Sequence, residues 1–330
     1  MTTAKIWTLK NVFEAVPKQN DFELVEEALQ PLQDDEILIE ALYLSLDPYI
    51  RFAATSQKVL HGEQVARILD SKASGFPVGS LVCVHAGWRS HTVVNVTVPR
   101  SFGTQVELIE DDSEINPSLW LGAAGMPGVT AYLAFLEKCD PKAGEVVVVS
   151  AASGAVGSIV GQLAKLKGLT VIGIAGTKEK CNYIKELGYD YAINYKEDNI
   201  YKALDAASPQ GVDIYFDNVG GGISDAVYRK LREKGRVLVC GRIAINSNRE
   251  ESGISWHRDI LYKQLKIQGF IVLRPENLLH FSRARKDLIT LLKEGKIKAK
   301  EHITEGFENM PQAFIELFTG SNFGKALIKV

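Results

Sequence analysis

The stretch that decides the fold is Val146-Val-Val-Val-Ser-Ala-Ala-Ser-Gly-Ala-Val-Gly-Ser-Ile-Val-Gly-Gln-Leu-Ala164. It begins as a continuous apolar run, typical of a buried strand, and after several small residues it takes the spacing of a helix. At the turn, Ala152-x-Gly154-x-x-Gly157 matches the glycine-rich fingerprint of dinucleotide sites, with alanine in the first glycine position. Glycine at the second position lets backbone N–H groups approach a pyrophosphate, and the third lets the helix pack on the strand. A tight βα turn without a ligand is the alternative.

Strand-like runs alternate with helical patterns on the C-terminal side of this stretch. The runs are 145–150, 170–174, 191–194, 212–216, 236–240 and 265–272, and one more helix is predicted over 275–294. Six strands with intervening helices predict a parallel, doubly wound α/β sheet that is covered on both faces. Residues 217–222 follow a predicted strand end, where open sheets of this kind bind ligands, so we expect a cofactor loop there.

The first part of the chain has a different texture. Short apolar runs at 36–46, 64–69, 79–84 and 92–98 are separated by proline and glycine turns, which favours β structure. The closing run 324–330 is a strand that can return to this module. The length of 330 residues agrees with about two domains. We expect one domain of residues 1–121 plus about 300–330, and a second domain of residues 122–299.

The composition narrows the class of ligand. With 46% apolar residues, 24% charged residues and a net charge of −2, the chain is an ordinary globular protein. It offers no basic surface for nucleic acid and no polybasic stripe for a membrane, so a small molecule is the expected partner. Its 4 cysteines lie far apart without metal-ligand spacing, which predicts reduced thiols. The N-terminus shows no secretory signal, which predicts a cytoplasmic protein.

The end of the second predicted strand of the α/β region distinguishes NAD from NADP. An NAD-specific site normally carries an acidic residue there, but here Gly176 and Thr177 are followed by Lys178 and Lys180. Lysine suits a 2′-phosphate and therefore predicts NADP. The alternative is that these lysines are solvated side chains on a helix surface, and periodicity does not decide which of the two faces the site.

Six more sequence motifs are spread along the chain between residues 46 and 325. They are Leu46-Asp-Pro-Tyr-Ile-Arg51, Gly125-Met-Pro-Gly-Val-Thr-Ala-Tyr132, Asn194-Tyr-Lys196, Tyr215-Phe-Asp-Asn-Val-Gly-Gly221, Glu305-Gly-Phe-Glu-Asn-Met-Pro311 and Asn322-Phe-Gly-Lys325. With them the chain resembles the zinc-free medium-chain dehydrogenases/reductases, in particular the prostaglandin reductase subgroup, also called leukotriene hydroxydehydrogenase or alkenal/one oxidoreductase. The resemblance implies a GroES-like substrate domain, an NADP-binding Rossmann domain, NADPH as cofactor and a homodimer.

The resemblance also implies roles for individual residues. The 2′-phosphate contacts fall on Lys180 and Tyr195, near Gly176 and Thr177. The other cofactor contacts fall on Ala152, Ser153, Gly154, Ala155, Val156, Gly157, Asn218, Cys240, Gly241, Ile243, Phe270, Ile271, Val272 and Asn322. Tyr262 matches a tyrosine near the substrate carbonyl and is the implied catalytic residue, although a helix-packing aromatic is the alternative.

Two further residues are candidates for substrate binding. Tyr49 stands beside the rigid Asp47-Pro48 turn, with a packing role as its alternative, and Asn246 stands where close relatives carry tyrosine. No metal ligand is expected, since 43–49 lacks the cysteine of zinc-dependent relatives and His61, His85 and His91 have no spaced partner.

The reaction that the resemblance implies is reduction of the carbon–carbon double bond of α,β-unsaturated ketones or aldehydes. NADPH delivers hydride to the β-carbon, and 15-oxoprostaglandins are among the candidate substrates. Negative charge then moves to the carbonyl oxygen, which needs a hydrogen-bond donor such as Tyr262 or the ribose hydroxyl of the nicotinamide nucleotide. The alternatives are a quinone reductase of the same zinc-free class and a non-catalytic, crystallin-like NADPH-binding protein.

Overall fold

The computed structural model describes residues 2–13, 16–53, 59–110, 114–243 and 256–330, without the side chains of residues 52 and 53. The chain forms two compact units. Unit 1 comprises Met1–Gly122 and Glu301–Val330, and unit 2 comprises Ala123–Lys300. Unit 2 is therefore inserted between the two parts of unit 1.

The described residues of the first part of unit 1 form seven strands, with a short helix after the third: β1 (Thr3–Leu9), β2 (Phe22–Ala28), β3 (Glu36–Ser45), α1 (Ile50–Ala53), β4 (Glu63–Ser71), β5 (Leu81–His85), β6 (His91–Asn95) and β7 (Glu107–Ile109). β1 and β2 pair as an antiparallel ribbon, and β3, β4, β5 and β7 follow one another in a larger sheet in which β6 also pairs with β3. Burial alternates along much of β3, as expected of a strand with one face on a core.

Unit 2, in the residues described (123–243 and 256–300), has six strands: β8 (Val146–Ser150), β9 (Thr170–Ala175), β10 (Tyr191–Asn194), β11 (Val212–Asp217), β12 (Leu231–Val239) and β13 (Lys266–Gly269). They form one sheet in the order β10-β9-β8-β11-β12-β13, and every pairing in it is parallel. This is the order of a Rossmann sheet, so the predicted doubly wound α/β fold is confirmed.

The helices of unit 2 are α2 (Met126–Tyr132), α3 (Gly157–Leu166), α4 (Lys178–Glu186), α5 (Ile200–Ala207), α6 (Gly221–Lys230), α7 (His257–Lys263), α8 (Pro275–Leu278) and α9 (Phe281–Lys293). The prediction of one helix over 275–294 was wrong, because the helix is interrupted between Leu278, the end of α8, and Phe281, the start of α9. The buried side chain of Asn277 donates to the carbonyl of Ile271 at 2.8 Å and ties the first turn to the preceding loop.

The end of the chain completes unit 1 with β14 (Glu301–Glu305), α10 (Met310–Thr319) and β15 (Lys325–Lys329). β15 pairs antiparallel with β3, with Leu327 opposite Ser45, and parallel with β14. The closing strand thus returns to the first module, as the sequence predicts. None of the described helices has both the length and the apolar character needed to cross a bilayer.

A buried ion pair joins the two parts of unit 1. Nζ of Lys325 lies 2.9 Å from Oδ1 of Asp47 and also donates to the carbonyl of Leu46 at 2.8 Å. The Ser45 hydroxyl donates to the other oxygen of Asp47. Lys325 and Asp47 are only 3% and 7% exposed, so each charge depends on the other for stabilisation.

We therefore expect Lys325→Met to lower the free energy of unfolding by about 3 kcal/mol, because it leaves the Asp47 carboxylate buried without a counter-charge. Lys329→Met is the matched control, because Lys329 lies in the same strand as Lys325 but forms an exposed ion pair, with Glu305 of β14. Its loss is expected to cost below about 1 kcal/mol. Urea denaturation followed by circular dichroism measures both. Equal losses would show that Asp47 and Lys325 do not form a structural pair.

Candidate dinucleotide and substrate site

The glycine-rich turn connects β8 to α3 in unit 2. Ala151 takes a left-handed conformation with φ of 48°, and the N–H of Ala152 donates to Ile174 of β9 at 3.0 Å. The helical pattern begins where Ser158 N–H donates to Gly154 O. A Cβ at Gly157 would lie 2.4 Å from the carbonyl oxygen of Ala151, so only glycine fits at this point.

A tyrosine that the sequence did not single out holds this helix start in place. Tyr189 is buried, and its hydroxyl donates to the carbonyl of Gly157 at 2.6 Å. A Cβ would lie 1.9 Å from its ring at Gly161 and 2.7 Å from it at Gly173. The signal in the sequence is glycine inside a helix and inside a strand, which marks close packing by another group.

The loop after β11 is shaped by a buried carboxylate. Asp217 is 3% exposed, and Oδ1 accepts hydrogen bonds from the N–H groups of Val219 and Gly220 at 2.9 Å each. The hydroxyls of Ser224 and Tyr215 donate to the same carboxylate at 2.6 and 3.0 Å. These bonds hold residues 217–222, where the sequence predicts a cofactor loop, although the sequence did not single out the Asp217 carboxylate within it.

Asn218 joins the carboxyl ends of β8 and β11. Its backbone N–H donates to the Ser150 hydroxyl at 2.9 Å, and its side-chain amide donates to the Ser150 carbonyl at 2.8 Å. The loop after β12 approaches the same point, because Cys240 and Gly241 donate their N–H groups to the carbonyl of Asp217. The order of the strands reverses between β8 and β11, which is where open α/β sheets bind their ligands.

The residues at this crevice fit a dinucleotide. Beyond its own chain neighbours, the described atom near a Cβ position at Gly154 is the Ala151 carbonyl oxygen at 3.3 Å, so the Gly154 backbone offers close approach to a ligand. The N-terminal end of α3 adds a positive partial charge for a pyrophosphate. A Cβ at Gly241 would lie 2.7 Å from the Asn218 carbonyl, which keeps the neighbouring loop tightly packed.

The far end of β9 carries the predicted phosphate-binding residues. Thr177 caps α4, and its hydroxyl accepts the N–H of Lys180 at 3.2 Å. Tyr195 follows β10, and its N–H donates to Ala175 at the tip of β9. Its ring covers Gly176, where a Cβ would lie 2.9 Å from the ring. The four predicted residues Gly176, Thr177, Lys180 and Tyr195 therefore lie together.

Lys196 is a further basic residue at this end. Burial lowers the pKa of Lys180, and the positive charge of Lys196 lowers it further. The N–H of Lys196 is held by the side chain of Asn194 at 3.2 Å. Two ammonium groups that repel each other favour an anion beside them, and a doubly charged phosphate suits them best. The Asn194-Tyr-Lys196 string could have pointed to this lysine.

The remaining predicted cofactor residues have varied surroundings. Phe270 and Val272 are buried after β13 and Ile271 is 57% exposed, with the N–H of Phe270 donating to Val239. Ile243 is partly exposed at the edge of the described chain. In unit 1, the side chain of Asn322 donates to Gly324 at 3.3 Å.

The candidate substrate residues differ in exposure. Tyr262, in α7, is 75% exposed. Tyr49 in unit 1 packs edge-on against Phe102, with ring centroids 5.9 Å apart. Burial, followed by the charges of Asp47 and Glu63, raises the pKa of Tyr49 well above its usual value, so it stays protonated and can donate a hydrogen bond. Asn246 lies outside the described residues.

The chain is similar in sequence to known oxidoreductases. A family described as zinc-binding dehydrogenase matches residues 155–292, and one described as the N-terminal domain of oxidoreductase matches residues 5–100. Prostaglandin reductase 1 from Bos taurus is 46% identical over 336 residues, with complete coverage of both chains. The chain belongs to the prostaglandin reductase subgroup of the zinc-free medium-chain dehydrogenases/reductases. The resemblance inferred from the sequence is confirmed.

Two further relatives broaden the comparison. The NADP(+)-dependent 2-alkenal reductase of Nicotiana tabacum is 36% identical and covers 98% of this chain and 96% of its own. The crystal structure of CurA from Vibrio vulnificus in complex with NADPH has a TM-score of 0.91 at 34% identity and 99% coverage of both chains. Within the parts of this chain that the structure describes, no three His, Cys, Asp or Glu side chains are grouped so that they could hold a metal ion.

Proposed function

We propose that this protein reduces the carbon–carbon double bond of α,β-unsaturated ketones and aldehydes with NADPH. The observation that carries the proposal is the basic site of Lys180 and Lys196 beside the Rossmann crevice, in a chain that belongs to the prostaglandin reductase subgroup. Two of its relatives are named as reductases of prostaglandins and 2-alkenals. As part of the same proposal, the protein acts in the cytoplasm as a homodimer on small-molecule substrates.

The cofactor is bound at three places in this proposal. Lys180 and Lys196 neutralise the 2′-phosphate, while Thr177 holds the start of α4 and Tyr195 covers the adenosine ribose side. The Gly154–Gly157 turn and the N-terminus of α3 bind the pyrophosphate through their backbone N–H groups. By resemblance, the nicotinamide half is contacted by Asn218, the loop from Cys240 to Ile243, the segment from Phe270 to Val272, and Asn322.

The chemistry then depends on charge that develops on the substrate. When bound, NADPH would supply the hydride for the β-carbon, the electrons of the carbon–carbon double bond would shift to leave negative charge on the carbonyl oxygen, and a proton from water would then add at the α-carbon. A hydroxyl that stays protonated can donate a hydrogen bond to that oxygen and stabilise it. Tyr262 is the proposed donor, and Tyr49 and Asn246 are proposed to line the substrate site.

The proposal is tested by mixing pure protein with NADPH and a panel of acceptors. We expect loss of NADPH absorbance with alkenals, aryl enones or 15-oxo lipids, and mass spectrometry is expected to find the saturated carbonyl product. Simple quinones serve as the comparison acceptor. Oxidation of NADPH by quinones alone would identify a quinone reductase, and tight NADPH binding without turnover of any acceptor would identify a binding protein.

Selection of NADPH over NADH is expected to depend on two lysines. Lys180→Ala and Lys196→Ala should each weaken NADPH binding by about tenfold or more, because each removes a charge-assisted contact to the phosphate. NADH lacks the 2′-phosphate and should bind unchanged. Lys178→Ala is the matched control, since Lys178 is exposed at the start of the same helix. Fluorescence titration measures all of these affinities. Equal weakening of NADPH and NADH binding would contradict the assignment.

The role of Tyr262 is expected to appear in turnover alone. Tyr262→Phe should lower kcat by about 100-fold, the order of effect seen when one oxyanion donor is removed, without changing the affinity for NADPH. Tyr49→Phe provides the comparison within the other unit. If Tyr262→Phe retains full turnover and Tyr49→Phe loses it, the hydrogen bond to the carbonyl comes from unit 1.

A further inference from the structure

The first half of α3, where the pyrophosphate site is proposed, is built from residues that weaken a helix. Gly157 and Gly161 stand four positions apart in it, and glycine is among the least favourable residues in a helix. Val156 occupies the cap position, and its apolar side chain accepts no hydrogen bond from the first turn. The order of this turn therefore depends on a contact from another part of the chain.

Tyr189 provides that contact. It lies in the turn between Glu186, the end of α4, and Tyr191, the start of β10, and it is 4% exposed. Its hydroxyl donates to the carbonyl of Gly157 at 2.6 Å. Burial raises the pKa of Tyr189, and a hydrogen bond from the backbone N–H of Gly161 opposes that rise. The hydroxyl thus bonds to both ends of one turn of α3.

The ring of Tyr189 is held in place by two glycines. A side chain at Gly161 of α3 or at Gly173 of β9 would overlap the ring, since a Cβ at either position comes closer to it than any real contact allows. The ring therefore fills a slot between the helix and the sheet. A hydroxyl on an enclosed ring has little conformational freedom left to lose, so it orders the turn efficiently.

We propose that Tyr189 is a positioning residue for the pyrophosphate of NADPH. By bonding the first turn of α3, it keeps the N–H groups at the start of the helix aligned before the cofactor binds, and such preorganisation raises affinity. The inference rests on the proposed function, because it takes the Gly154–Gly157 turn as the pyrophosphate site. Tyr189 then serves the pyrophosphate, whereas Lys180 and Lys196 serve the 2′-phosphate.

Three ligands separate these contributions in Tyr189→Phe, which keeps the ring and removes the hydroxyl. NADPH carries the pyrophosphate and the 2′-phosphate, NADH carries the pyrophosphate alone, and adenosine 2′-monophosphate carries the 2′-phosphate alone. We expect NADPH and NADH to bind about fivefold more weakly than they bind the parent, the effect of losing one hydrogen bond. Adenosine 2′-monophosphate should bind unchanged. Isothermal titration calorimetry on the full chain measures all three affinities.

Two variants provide the controls. Lys180→Ala should give the complementary pattern, with weaker binding of NADPH and adenosine 2′-monophosphate and unchanged binding of NADH. Tyr132→Phe removes a hydroxyl that donates to Asp287 of α9 at 2.7 Å, so it should bind all three ligands as the parent does. Thermal melting of each variant measures the loss of stability separately from the change in affinity.

Two results would overturn the proposal. Unchanged affinities in Tyr189→Phe, with a lower melting temperature, would show that the hydroxyl serves stability alone. Equal weakening of all three ligands would show an effect that is not confined to the pyrophosphate.

The test measures binding, so it is decided even if no acceptor is reduced. If the parent binds NADPH and NADH without reducing any acceptor, the proposed reaction fails, and the role of Tyr189 is still judged from the affinities. If the parent binds neither nucleotide, both proposals fail.

Discussion

The meeting of β8 and β11 at their carboxyl ends is the constraint on which unit 2 depends. The chain leaves these neighbours in opposite directions across the sheet, towards β9 and towards β12. Because such crossovers are right-handed, the helices that follow the two strands cover opposite faces and leave a crevice between their N-termini. Asn218 fixes this point through two hydrogen bonds to Ser150, and the buried Asp217 carboxylate holds the loop around it. The proposed phosphate-binding role of the glycine-rich turn depends on these bonds, because they hold the ends of β8 and β11 together.

The sequence was informative where the signal is local. The apolar run before Gly154 and the alternation beyond it predict the parallel sheet, because burial on both faces leaves a continuous hydrophobic strand. The residues that stabilise the crevice were not predictable in this way. Ser150 receives its bonds from Asn218, which lies 68 positions later in the chain, and Tyr189 acts on Gly157 from 32 positions away. Such partners are determined by the topology, so they become apparent only when the strands are in place.

The phosphate-binding residues, too, could be predicted only in part from sequence patterns. Lys180 and Tyr195 came from the resemblance, and periodicity alone left Lys178 and Lys180 equivalent. The structure distinguishes them physically, since Lys178 is exposed and Lys180 is close enough to Lys196 for the two charges to interact. The break before α9 is a related case. The helical pattern continues through it, but α8 ends at Leu278 and α9 begins at Phe281, and a buried hydrogen bond from Asn277 to Ile271 ties α8 to the loop before it. Hydrophobic spacing does not report such a polar contact.

Net charge conceals the most informative electrostatics of this chain. The total of −2 excludes an extended basic surface, yet both units contain a pair of like charges whose interaction lowers a pKa. In unit 2, Lys180 and Lys196 lie near the N-terminus of α4 and near Gly176, an environment that favours a phosphate at the carboxyl end of β9. In unit 1, Arg89 and Arg100 line one groove, where Arg89 pairs with Glu27. Like charges held together oppose folding, so the lysine pair gains stability from an anion such as the 2′-phosphate, whereas the Glu27 carboxylate already offsets the charge of Arg89.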